Sequence, residues 1–159
     1  MSNKVGVIGL GAMGSGMAGS LRRAGFDTAV FDIRTEVAQA FAKEGGTACA
    51  SLAELGARCD VIVSVVVNAV QTESVLFGAD GCAASMKRGS VFVMCSTVDP
   101  NWSIALEARL AALGILYIDA PISGGAAKAA SGQMTMMTAA SPEAYAKAGD
   151  MLDAMAAKV

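Results

Sequence analysis

The stretch that most constrains this chain is Gly9-Leu10-Gly11-Ala12-Met13-Gly14, which follows directly on the β-branched run Lys4-Val5-Gly6-Val7-Ile8. The run reads as a buried strand. Beyond the turn, Met13, Met17 and Leu21 recur every four residues with Ala18 on the same face, which predicts a helix. Arg22, Arg23 and Gly25 supply its cationic last turn and glycine stop. G-x-G-x-x-G between a strand and a helix gives each glycine a separate job. Gly9 takes the tight turn, Gly11 leaves room for a pyrophosphate, and Gly14 lets the helix lie close to the sheet. No Lys or Arg lies between Val5 and Leu21. A diphosphate here would therefore rest on free N–H groups and the positive pole of the helix. The lysine and hydroxyl of G-x-x-x-x-G-K-[ST] are missing, which fits ATP hydrolysis poorly.

The next strand, Thr28-Ala29-Val30-Phe31, ends in Asp32, 18 residues after Gly14. An acid about 20 residues beyond the glycines is the expected partner of an adenosine ribose 2′-hydroxyl. Arg34 stands two residues further on, where an arginine can accommodate a 2′-phosphate. Asp32 would repel that phosphate, so NAD is expected over NADP and Arg34 is read as a solvated surface charge.

Further along, helix and strand signals alternate. Glu36–Phe41 predicts a helix ending near Gly45-Gly46, and a short strand covers Thr47 to Cys49. Ser51-Leu52-Ala53-Glu54 is a capping box opening a helix that ends near Gly56. Val61 to Val67 is apolar almost throughout, the mark of a strand covered on both faces, with Asn68 at its end. A helix is expected from Ala69 to Leu76 and a strand from Val91 to Cys95, followed by Ser96-Thr97. Asp99-Pro100 starts a helix that should bury Trp102, Leu106, Leu110 and Leu113. Ile115–Ile118 predicts a strand, Gln133–Thr138 a further one, and Ser141-Pro142 a last helix with Ala148, Met151, Leu152 and Met155 on one face. This alternation predicts an α/β fold of Rossmann type: a doubly wound, mainly parallel sheet with helices on both faces. Gly9, Asp32, Asn68, Ser96-Thr97 and Ser123-Gly124-Gly125 would then fall along the carboxyl edge, where ligands bind.

At 159 residues the chain is read as one domain, 1–159. Its apolar stretch from Val61 to Val70 is too short to span a bilayer. Six glycines from Gly6 to Gly19 argue against a signal peptide. A net charge of −2 without long runs of one sign leaves no nucleic-acid footprint. Cys49, Cys59, Cys82 and Cys95 have no metal-like spacing and read as small buried hydrophobes in a reducing cytoplasm. Histidine is absent, which excludes Ser-His-Asp and Cys-His catalysis within the chain and argues against zinc.

Val7-Ile8-Gly9-Leu10-Gly11-Ala12-Met13-Gly14-Ser15-Gly16-Met17-Ala18 resembles the opening signature of the β-hydroxyacid dehydrogenases, and Asp119-Ala120-Pro121-Ile122-Ser123-Gly124-Gly125 with Gly132 resembles their substrate signature. Val66-Val67-Asn68-Ala69, Val75–Gly78 and Gly124–Ala130 are similar to the L-threonate dehydrogenase branch. The resemblance implies that Gly9 to Gly14 hold the pyrophosphate and Asp32 the ribose. Val66, Val67 and Asn68 would line the nicotinamide half, with Thr97 beside the ring. Ser123, Gly124 and Gly125 would grip a small hydroxy acid, as a hydroxyl and paired backbone donors can. Val67 stands where many relatives have proline and Met94 where some have aspartate. Both changes suit contacts made by backbone or packing. Lys128 is the one lysine near the substrate loop and is read as a surface charge.

No residue of this chain is a good proton acceptor for hydroxyl oxidation. In the family that task falls to a lysine in G-x-G-x-x-x-K just beyond this domain, and Lys158 lacks the glycine context. The resemblance therefore implies a helical substrate and dimerisation domain beyond Val159, a full-length homo-oligomer, and a fragment that binds NAD without turnover. A non-catalytic NAD module and the cofactor domain of an imine reductase are the competing readings.

Overall fold

Strands whose neighbours cover both faces place alternate side chains in two different cores. In the computed structural model, which describes residues 4–159, the first strand β1 (Lys4–Ile8) turns Val5 and Val7 to one core and Ile8 to the other. It leads through the glycine turn into α1 (Ala12–Arg23), and then come β2 (Asp27–Phe31), α2 (Thr35–Lys43) and β3 (Thr47–Ala48). The second half of the sheet follows as α3 (Leu52–Arg58), β4 (Val61–Ser64), α4 (Ala69–Phe77), a 3-10 turn at Cys82–Ala84, β5 (Val91–Met94), α5 (Pro100–Ala112) and β6 (Leu116–Asp119). Val61 and Val63 join the core of Val5, while Ile62, Phe92 and Met94 join that of Ile8.

The main sheet has seven strands in the order β3-β2-β1-β4-β5-β6, closed by β9 (Ala139–Ala140). All neighbours are parallel except β6 and β9. The strand order reverses between β1 and β4, so a crevice opens beyond their carboxyl ends. One face carries α1, α2 and α7 (Pro142–Met155), the other α3, α4 and α5. A second, three-stranded sheet runs β10-β8-β7, from β7 (Ile122–Ser123), β8 (Met134–Met136) and β10 (Ala156–Lys158). Between β7 and β8 lies α6 (Gly125–Ser131), which packs on α1.

Four expectations change. The strand predicted to reach Val67 stops at Ser64, because β1 ends at Ile8 and offers no partner beyond the Val65 N–H bond to the Ile8 carbonyl. Asn68 is therefore the N-cap of α4, its Oδ1 accepting from the Gln71 N–H at 2.9 Å. Gly56 does not end α3 but lies inside it, since a Cβ there would meet Ser85 Oγ at 2.2 Å. Leu113 lies past the end of α5 and is 44% exposed, while Leu106 and Leu110 are buried as expected. In the capping box of α3 the Ser51 hydroxyl accepts from Glu54 N–H, but the Glu54 carboxylate reaches Ala50 N–H rather than that of Ser51. The four cysteines are buried, with no disulfide.

Candidate dinucleotide site

The three glycines differ in what surrounds them. Gly9 has φ +91° and a Cβ there would lie 2.6 Å from the Val65 carbonyl oxygen, so both conformation and space demand glycine. At Gly14 a Cβ would fall 1.8 Å from the carbonyl oxygen of Gly9, which fixes how closely α1 follows the turn. Gly11 has an ordinary φ of −68° and nothing within 4 Å of an added Cβ. Protein packing does not require glycine there. The space it leaves is part of the crevice itself.

Helix α1 starts on Gly11 with no side-chain cap and no acid in its first turn. By contrast α3, α4, α5 and α7 are capped by Ser51, Asn68, Asp99 and Ser141. The first N–H groups of a helix have no partner within it. At α1 neither a cap nor an acid of the first turn takes them, and Gly11 at this start lines the crevice, the chemistry that a pyrophosphate matches.

Asp32, buried at 7%, follows β2 and closes one side of that crevice. Its Oδ2 accepts from the N–H of Leu10 in the glycine turn at 2.7 Å, and its Oδ1 from Arg34 N–H at 2.8 Å. The Arg34 guanidinium adds a fork, Nε to Oδ1 at 3.0 Å and Nη2 to Oδ2 at 3.1 Å. The guanidinium hydrogen bonds, against the opposing effect of burial, lower the carboxyl to a pKa of about 2. Arg34 is thus the half-exposed surface charge expected from sequence and, beyond that expectation, the ion-pair partner of Asp32.

A cavity of about 430 Å³ lies over these groups, lined by Gly9, Gly11, Asp32, Arg34, Val66 and Val67 together with Ile33, Leu52, Gln71 and Val75. Ile33 and Val67 are 89% and 78% exposed, an apolar rim suited to a flat ring. Val66 and Val67 therefore share a wall with Asp32. The Val67 N–H donates to Gln71 Oε1 at 2.8 Å, and the Val66 carbonyl accepts from Ser96 Oγ at 2.6 Å. Ile33, Leu52, Gln71 and Val75 escaped the sequence reading. Closeness in sequence to Asp32 and Asn68 could have flagged Ile33, Gln71 and Val75, whereas Leu52 at the start of α3 carries no such signal.

Leu10 and Gly14 are buried in the turn, Ala12 is exposed and Met13 half-buried, and none of the four lines the cavity. Asn68 and Thr97 are exposed and also lie outside it. Ser123, Gly124 and Gly125 are exposed too, but they stand in the small sheet and at the start of α6 rather than on a main-sheet strand. Gly124 and Gly125 have φ +139° and +79°, and the stem of Lys128 packs against Gly124. Asp119 Oδ2 accepts from Ser103 Oγ at 3.1 Å, and the same hydroxyl lies 2.7 Å from Tyr117 OH, so this acid is tied to the sheet's far face. No cluster of His, Cys, Asp and Glu suited to a metal occurs among the described residues, and no helix of the described residues is long and apolar enough to cross a membrane.

Comparison with known proteins agrees with this geometry. Residues 4–159 match the family model described as the NAD binding domain of 6-phosphogluconate dehydrogenase. An L-threonate dehydrogenase from Cupriavidus necator is 58% identical over 159 residues, all of this chain and 54% of that protein. The crystal structure of a 3-hydroxyisobutyrate dehydrogenase from Salmonella typhimurium superposes with a TM-score of 0.93 at 42% identity, over 98% of this chain and 54% of the other. An imine reductase variant from Myxococcus stipitatus in complex with NAD+ has a TM-score of 0.88 over 98% of this chain and 53% of the other, but at 21% identity it shares the fold alone. The chain spans about half the length of the relatives it matches.

Proposed function

Because this chain belongs to the family of the NAD binding domain of 6-phosphogluconate dehydrogenase, among the 3-hydroxyisobutyrate dehydrogenase-like proteins, we propose that it is the cofactor domain of an oxidoreductase acting between NAD and a small β-hydroxy acid such as L-threonate. One observation carries the reading: an uncapped helix start behind an open Gly11, on the same crevice as a buried, ionised Asp32. Gly9 and Leu10, whose N–H groups are committed to the Phe31 carbonyl and to Asp32, shape the turn, and Gly11, Ala12, Met13 and Gly14 hold the pyrophosphate through backbone N–H groups. Asp32 takes the ribose and disfavours a 2′-phosphate, which selects NAD over NADP. Val66, Val67 and Asn68 line the nicotinamide half, with Thr97 beside the ring, and Val66 and Val67 continue the cavity wall from Asp32. Ser123 with Gly124 and Gly125 receives the acid.

Bound NAD supplies the hydride acceptor. The chain contributes position and charge, and it holds the nucleotide without a side-chain cation at the diphosphate. Its sequence has no histidine, and Asp119 is held by Ser103 through Oδ2, with Oδ1 buried and without a hydrogen-bond partner. The proton acceptor is accordingly assigned to a glycine-flanked lysine in a helical domain following Val159, which also dimerises the full-length protein in the cytoplasm.

Calorimetry with residues 1–159 tests the cofactor half: NAD binds, and Gly11→Ala abolishes the heat. Spectrophotometric screening of the full-length protein against L-threonate, D-glycerate and 3-hydroxyisobutyrate tests the substrate half. Robust oxidation of any of the three by residues 1–159 alone would refute the assignment of the base.

A further inference from the structure

An ionised carboxylate offers about four acceptor positions, and at Asp32 all four are taken. Two belong to backbone N–H groups that cannot leave, one from Leu10 in the buried glycine turn and one from Arg34 at the start of α2. The other two belong to the Arg34 guanidinium, whose side chain is 53% exposed against 6% for Asp32. A ribose hydroxyl that donates to Asp32 therefore competes with one movable group. We propose that Arg34 determines specificity in this ribose subsite, occupying the oxygens of Asp32 until a nucleotide displaces its guanidinium.

The inference rests on the dinucleotide reading above and deepens it. A planar fork on a carboxylate is among the stronger ion pairs, but a half-exposed one opens at small cost. Arg34 also lines the cavity, so its cation stays at the rim once it has left Asp32. Glu36, in the first turn of α2, is the other acid whose charge reaches it. With a plain ribose the hydroxyls take the vacated oxygens and the guanidinium is merely displaced. With a 2′-phosphate the same guanidinium meets the phosphate and shields it from Asp32. One residue thus weakens NAD binding slightly and rescues NADP binding, which narrows the preference that Asp32 sets.

The test is calorimetry of residues 1–159 with NAD and with NADP, in the wild type, Arg34→Ala and Arg34→Gln, with circular dichroism to confirm that each variant is folded. Both variants should bind NAD about two- to fivefold more tightly, the worth of an exposed pair. They should bind NADP at least about tenfold more weakly, as befits loss of a charge-assisted contact. The NAD preference then widens. Side-chain NMR gives a second readout: saturating NAD should shift the Arg34 Nε–H resonance. An unchanged NAD:NADP ratio, equal weakening of both nucleotides or an unshifted resonance would overturn the role of Arg34 while leaving the cofactor reading intact. No binding of either nucleotide by any of the three proteins would sink both.

Discussion

Single residues decide whether the crevice is a structural or a chemical feature. Gly14→Ala drives a Cβ into the Gly9 carbonyl and should cost about 3 kcal/mol or more of stability, seen in denaturant unfolding. Gly11→Ala meets no protein atom, so its unfolding free energy should change by less than about 1 kcal/mol while NAD binding is lost. Only at the second position does the protein's own packing leave glycine unrequired. Asp32 gives a pH signature. Its carboxyl falls from 3.8 to about 2 on folding, so its contribution is complete above pH 3.8 and drains away as pH falls toward 2. Since one pKa unit is worth about 1.4 kcal/mol, the loss over that window is about 2 kcal/mol. Arg34→Gln removes the largest cause of the depression and should flatten the acid limb of a urea-unfolding series between pH 4 and 2. An unaltered limb would show that the backbone donors alone hold the carboxylate.

At the scale of elements, legibility in the sequence followed the strength of local signals. The caps Asp99-Pro100 and Ser141-Pro142 open α5 and α7 as read, because one side chain accepting an N–H sets each boundary. The end of β4 was illegible because it depends on where β1 stops, a fact about another strand. The small sheet was missed for a similar reason: β7 has two residues and β10 three, too few for a period to show. Within the site, glycine spacing and the acid were readable because each has a local backbone role, whereas the fork of Arg34 on Asp32 could be settled only by rotamers. Tertiary packing also gives α6 its place. Gly16 lets it lie on α1, since a Cβ would come within 2.6 Å of Ala130 N, and the one proton of Ser20 Oγ is shared between the carbonyls of Gly16 and Ala129, each 3.0 Å away. Ser20→Ala leaves the buried Ala129 carbonyl short of a partner and should cost about 1–2 kcal/mol. Faster amide exchange at Gln133, which donates to Lys128 at the end of α6, would locate the damage.

Over the whole molecule, the main sheet joins two cores that share its central strands, while β8 and β10 of the small sheet add Met134, Met136 and Ala156 to the core of α1 alone. Val5, Val7, Val61 and Val63 serve the face of α1, while Ile8, Ile62, Phe92 and Met94 of those same or neighbouring strands serve that of α5. Loss of one core therefore uncovers one face of every central strand and strips the other core of its support. The two should melt as one cooperative unit despite being separated by the sheet. Leu21→Ala and Leu106→Ala, each fully buried on opposite faces, test this. Each should cost about 2–5 kcal/mol through lost burial and the cavity left behind. Both should lower a single thermal transition, and because the two sites share no core the costs should add within about 0.5 kcal/mol. Two resolved transitions in either variant would mean that the faces fold independently. The crevice between β1 and β4 would then lose its rigid frame, since its glycine turn is anchored to one core through Leu10 and Val66 of its wall packs against the other.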